Sequence, residues 1–430
     1  MNSAVRTGGL LTALVLATST AVLAPACGGI PDDRSGRQSA DANVEKSVAV
    51  TFSGEDVRSY MRQLAPYLVS RELEQDEIGR LDSDKFAAIA PMLVRWTKEP
   101  SFPLAARRLI AQKLSVSGSR DGIDFDLPGN LAEFVVRNDL PLSTLLTADY
   151  CVNANGAKIK CDSGAPFEAG VLTTRAFLAS RASRFNLTRA STLMRTFVCE
   201  AYPMKETVEP RLPRSRLIPM FQVDKEVDEN GMEKDTFGNG SACYGCHGQF
   251  GAHAQLFVRF DEKGVYRADA TGVQDAKGEL GRSQNGLYAS HLNAPAEAKS
   301  DTSQMLGQQV ANVREAAKVL AASPKFVPCQ VANILEYALR LPPPVKIAQE
   351  VLDEISAGAQ EAGEPTFSSL LVELLHCSPP RPLTTDETMR GCENVSTTNE
   401  ENVGSPASCA PAEISSRTSC AIFTGGGRRS

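Results

Sequence analysis

The sequence predicts a mainly α-helical protein in which helical domains flank a loop-rich central region, followed by a low-complexity tail. Three observations carry this. Apolar residues recur at helical spacing in stretch after stretch between 53 and 375. The connections between those stretches are rich in Gly, Pro, Asp and Asn, which break regular structure. The composition, 42% hydrophobic and 22% charged over 430 residues, is that of a globular chain long enough for two or three domains.

Taken in order, the chain opens with Arg6 ahead of an apolar run over 10–23, too short for a comfortable membrane span and of the form of a signal peptide. The run ends in Leu23-Ala24-Pro25-Ala26-Cys27. Small residues before a cysteine resemble the lipobox of bacterial lipoproteins, although Ala24 stands where Leu is usual. Residues 1–26 are therefore expected to be removed and Cys27 to carry a lipid, with ordinary secretory cleavage after Ala26 as the alternative. No other stretch has the length of a membrane span, so any hold on a membrane would come through that lipid. Residues 27–49 are polar and read as a disordered tether.

An N-terminal helical domain is expected over 50–150. Ser53-Gly-Glu-Asp56 has the form of a capping box. Val57, Tyr60, Met61 and Leu64 then follow at helical spacing, and Pro66 is expected to interrupt them. Further amphipathic stretches cover 86–96, 104–114 and 131–140, with Trp96 as a core anchor. Next, Cys151 and Cys161 flank a short segment in which Asn155-Gly156 supplies a hairpin turn. They are the one cysteine pair that sequence nominates for a disulfide. Helices are expected over 171–180 and 187–198, and polar connectors over 206–219 and 226–240.

The last of these connectors leads into Ser241-Ala242-Cys243-Tyr244-Gly245-Cys246-His247. Cys-x-x-Cys-His is the attachment sequence of c-type haem. Two cysteines three apart lie on one face of a helical turn, so both sulfurs reach the haem vinyls, and His247 is aimed at the iron as proximal ligand. One covalent haem c is the cofactor expected, held by Cys243, Cys246 and His247. A redox Cys-x-x-Cys or half a zinc site are the bland alternatives; no second Cys-x-x-Cys or close His pair completes a zinc set. Met305, which follows the motif and precedes a closing helix, is the candidate distal ligand, with Met220 and Met232 competing. His253 reads as an edge or solvent residue, and His291 and His376 as structural histidines.

The central region, 151–300, is thus expected to be a cytochrome-c-like haem domain. A C-terminal helical domain over 301–377 follows, with helices at 304–322, 331–341, 345–357 and 367–375. The tail, 378–430, has too little apolar content for a core. Eleven cysteines point to an oxidising compartment where the surplus can pair. A net charge of −6 with no basic run gives no reason to expect nucleic acid.

Several segments resemble planctomycete-type secreted c-type cytochrome proteins, in which a haem domain lies between helical domains of unknown role. These are 130–150, Gly170-Val-Leu-Thr-Thr-Arg-Ala-Phe-Leu-Ala-Ser180, Met194-Arg-Thr-Phe-Val-Cys199, Cys243-Tyr-Gly-Cys-His247 with Leu256-Phe-Val-Arg-Phe-Asp261, and Phe326-Val-Pro-Cys329 with Leu335-Glu-Tyr-Ala-Leu339. The chain departs from them after the motif, where Gln249-Phe-Gly-Ala-His253 replaces an Asp-Pro-Leu-Gly-like turn. The resemblance implies haem c and export, and brings no substrate. One-electron transfer to an unidentified redox partner is the function expected, from a lipid-anchored position in the cell envelope: outer membrane, periplasm or cell surface. Whether the chain is also an enzyme is left open. The rivals are a haem oxidase or peroxidase, against which the single motif counts, and a haem-bearing structural or binding module.

Overall fold

The computed structural model describes residues 54–202, 212–218, 229–232, 241–272, 283–284, 286–292, 303–339, 346–347, 349–361, 363–377 and 413–414. All belong to one compact unit, 44–430. The leader, Cys27, the tether, Met220 and almost all of the tail lie outside the described residues, as do the side chains of Cys243, Cys246 and His376. The described chain is mainly helical, with only two-residue strands between its helices.

The N-terminal helices are α1 (Gly54–Leu68), α2 (Gln75–Asp84), α3 (Ile89–Trp96), α4 (Pro103–Leu114), α5 (Leu127–Arg137) and α6 (Thr144–Thr147). Val57, Tyr60, Met61 and Leu64 are all buried, as their spacing requires. Pro66 does not interrupt α1; it lies inside the last turn, where it removes one i→i−4 hydrogen bond, and the helix ends two residues later. The sequence reading missed α2, a mostly polar helix that turns one carboxylate inward. Glu77 is fully buried and takes hydrogen bonds from Arg71 Nη1 (2.8 Å) and Nη2 (3.0 Å), Trp96 Nε1 (2.6 Å) and the Glu74 N–H (2.8 Å), with Arg95 alongside. A two-residue ladder, β1 (Ser119–Arg120) with β2 (Ile123–Asp124), separates α4 from α5.

The hairpin expected at Cys151–Cys161 is present: β3 (Cys151–Val152) pairs antiparallel with β4 (Lys158–Ile159), and Gly156 turns the chain at φ +75°. A disulfide closes it, S–S 2.05 Å. At Gly170, φ is +48° and a Cβ would lie 2.1 Å from the Leu145 carbonyl oxygen, so no side chain fits where this segment crosses α6. The chain continues through α7 (Arg175–Ser180), α8 (Leu187–Phe197) and α9 (Ser241–Ala254), then β5 (Ser283–Gln284) paired with β6 (Leu287–Tyr288).

The stretch 304–312 is not helical. It forms the hairpin β7 (Gln304–Met305) to β8 (Gln308–Gln309), turned at Leu306 and Gly307, both with positive φ. The helix starts later, as α10 (Val313–Ala321), where the Asn312 side chain accepts the Glu315 N–H at 3.1 Å. After it come α11 (Phe326–Leu339), β9 (Lys346–Ile347), α12 (Gln349–Glu361), α13 (Phe367–Cys377) and β10 (Glu413–Ile414), which pairs with β9.

The segments 50–150 and 301–377 do not have separate cores. One apolar cluster runs from Val57 to Leu371. Phe102 meets Phe367 with ring centroids 5.6 Å apart, Tyr67 meets Tyr337 at 6.3 Å, and the Leu142 N–H donates to the Pro365 carbonyl at 3.0 Å. A second disulfide, Cys199–Cys329, ties the end of α8 to α11 across 130 residues.

Candidate functional site

The Cys-x-x-Cys-His segment forms the first two turns of α9, as the spacing argument requires. From His247 through Val258, α9 and the turn after it, every residue is buried. A helix enclosed on all sides is normally apolar all round. This one instead carries His247, Gln249 and His253, each less than about a tenth exposed. Buried polar groups at this density need partners.

His247 Nδ1 lies 2.9 Å from His291 Nε2. The pair sits in an aromatic enclosure. His291 stacks on Phe185 (centroids 4.5 Å), His247 lies 4.9 Å from Phe250, and Phe250 meets His291 edge-on at 4.9 Å. Burial pushes the His247 imidazolium down to about 4. Burial, and then the neighbouring His247, push His291 well below the ordinary histidine value. Both rings are therefore neutral at physiological pH, which is the form of imidazole that binds a metal.

The elements around the pair explain its position. Phe185 and Asn186 adopt left-handed backbone (φ 54° and 57°), swinging the Phe185 ring toward α9 ahead of α8. Arg189 on α8, fully buried, pins that corner. Its guanidinium donates to the Asn186 Oδ1 (2.8 Å) and to the carbonyls of Leu178 (2.8 Å), Phe260 (2.7 Å) and Asp261 (2.5 Å). Burial lowers it to about 10, so it stays charged at neutral pH, with Tyr288 and Asp261 nearby. Gly251 faces the segment carrying His291; a Cβ there would lie 3.1 Å from Leu212 Cδ1 and 3.5 Å from His291 Cβ.

His253 is not an edge residue. It is fully buried, and its Nδ1 is 2.5 Å from the Tyr202 hydroxyl, with Tyr202 also stacked on Phe250. The reason is topological: α8 packs along α9, and Tyr202, in the segment after α8, covers His253. Met305 is fully buried on β7, which packs against α9, but its side chain belongs to the main apolar cluster rather than to the rings around His247. Met232 is 68% exposed. Cys151 and Cys161 are joined to each other, as expected.

Sequence reasoning missed the contact of His291 with His247 and the walls at Phe185 and Phe250. Nothing in local spacing signals them, because they come from segments far apart in the chain. Among the described residues no three His, Cys, Asp or Glu side chains converge as a metal cluster, and no helix is long and apolar enough to cross a membrane. Comparison with protein-family models, with curated proteins and with solved structures gives no match to this chain.

Proposed function

We propose that this chain is an exported, lipid-anchored c-type cytochrome carrying one covalent haem and passing single electrons to and from a redox partner. The observation that carries the reading is the Cys243-x-x-Cys246-His247 sequence on the first turns of α9, which is buried from His247 onward, with His247 among the rings of Phe185, Phe250 and His291. The donor set fits the group: two thiols three apart for thioether bonds, and a neutral imidazole next in sequence for iron. Haem c, when bound, supplies a one-electron Fe(II)/Fe(III) couple. The chain's own residues do the rest. Cys243 and Cys246 would hold the group, His247 would ligate it, and Phe185 and Phe250 keep water from the ligand. Met305 is the candidate distal ligand, on a strand adjoining α9. The two disulfides are compatible with an oxidising compartment.

The test is maturation in a host with c-type haem assembly. Haem should stay with the chain through acid–organic extraction and denaturing electrophoresis, and Cys243→Ala with Cys246→Ala should remove it. Complete loss of haem from the denatured wild type would refute the reading. Zinc bound one-to-one in place of haem would instead give Cys243, Cys246, His247 and His291 to a tetrahedral metal, an alternative that the contact between the histidines makes concrete.

A further inference from the structure

We infer that His291 is the positioning partner of the proximal ligand, accepting a hydrogen bond from His247 Nδ1 and thereby leaving Nε2 of His247 as the nitrogen that meets iron. This rests on the covalent-haem reading above. The argument is geometric. The two nitrogens of an imidazole lie on opposite sides of the ring, and the bond made by one decides which role the other takes. His291 approaches His247 at Nδ1, 2.9 Å away. A group on that side lies behind the ring as seen from iron, so it is not placed to ligate iron across the haem plane.

The separation of 2.9 Å is the ordinary N–H···N hydrogen-bond value.

His291 is built to hold this pose. Its backbone carbonyl accepts the Ile218 N–H at 2.8 Å, and the next residue, Leu292, bridges to Leu217. On the other side, the Ser290 N–H donates to the Gly272 carbonyl (2.7 Å), while the Ser290 hydroxyl bonds Gln255 Oε1 and accepts the Leu292 N–H (3.0 Å). Gln255 directly follows α9, so the segment carrying His291 is tied to the helix carrying His247. Phe185 and Phe250 fix the plane of the ring. A proximal histidine whose second nitrogen donates to a fixed acceptor is both oriented and made more basic. A more basic axial ligand favours Fe(III), so His291 lowers the reduction potential.

The experiment compares haem-loaded wild type, His291→Phe and His291→Gln, reading haem retention, the reduction potential and the ¹H resonance of the His247 Nδ1–H. All three should retain covalent haem. The Phe variant should show a raised potential and a fast-exchanging Nδ1–H, while the Gln variant, which keeps an acceptor, should return both toward wild type. A low-spin spectrum that turns high-spin in both variants would make His291 the distal ligand and overturn the inference. Equal shifts in the Phe and Gln variants would also overturn it. If the Phe variant does not fold, the wild type still decides: an Nδ1–H that exchanges freely sinks the proposal. Wild type without covalent haem would fail the underlying reading, and this is seen before any His291 variant is made.

Discussion

Two polar centres are buried in this molecule, and they are built on opposite principles. Around Glu77 the chain buries charge: a carboxylate with no exposed surface, gripped by the Arg71 fork, Arg95 and the Trp96 indole. Around His247 it buries groups that are titratable but uncharged, two imidazoles facing each other within aromatic walls. The first centre closes on itself within the N-terminal helices. The second gathers from segments before, within and after α9, on the same helix as two thiols. A buried charge with a full set of donors is a structural joint, because removing any partner leaves the charge uncompensated. Buried imidazoles kept neutral hold the form of histidine that can coordinate a metal.

The comparison breaks most sharply at Glu77. Glu77→Leu should leave Arg71, Arg95 and Trp96 without their common acceptor and cost about 3–5 kcal/mol, read as the shift in urea denaturation, while haem attachment in the folded fraction is unchanged. The same carboxylate predicts a pH dependence. Burial pushes it up, but the hydrogen bonds from Arg71, Trp96, the Glu74 N–H and Arg95 outweigh this and hold it at about 2. The folded value lies below the ordinary carboxylate value. Its stabilisation is therefore complete above about pH 4.5 and lost as pH falls through about 2, on the order of 3 kcal/mol in all. Glu77→Gln should flatten the stability curve over that window. An unchanged acid slope in the variant would mean that other carboxylates carry it.

Next in size are the two disulfides. Cys199–Cys329 closes 130 residues around α9, whereas Cys151–Cys161 closes 10. In the loop-entropy account, replacing the first pair by Ala should cost about 2–4 kcal/mol, and more than replacing the second. Denaturation of the two double variants side by side gives the ranking. Equal costs would show that loop length does not set what these two bonds contribute.

The same contrast explains which features were legible from residues alone. α1, α3, α4 and α5 could be read because each is half-buried and its apolar positions repeat every three or four residues. The hairpin at 151–161 announced itself through Asn155-Gly156. The motif on α9 was legible as a local spacing, but the burial of α9 was not, since a helix enclosed on all sides has no apolar face to detect. α2 was missed because its inward residue is a carboxylate. The strand pair at 304–309 was misread as helix although Gly307 marks its turn and Asn312 caps the helix that follows. His291, Phe185 and the Tyr202–His253 pair reach α9 only through tertiary folding, and no local pattern encodes such contacts.

The smallest expected change in stability is at Met305. Met305 is fully buried in the main apolar cluster, so a substitution of similar volume, Met305→Leu, should cost less than about 1.5 kcal/mol through packing. Its effect on iron is a separate matter. A thioether ligand gives oxidised haem a weak far-red charge-transfer band and favours Fe(II). If Met305 ligates iron, Met305→Leu should erase that band and lower the potential, in the direction opposite to His291→Phe. Met232→Leu, at an exposed position, should leave both untouched. A far-red band that survives in Met305→Leu would confine Met305 to the packing of the main cluster and move the search for the distal ligand to Met220. If both readings hold, the two substitutions shift the potential in opposite directions, which separates a ligand from a residue that positions one.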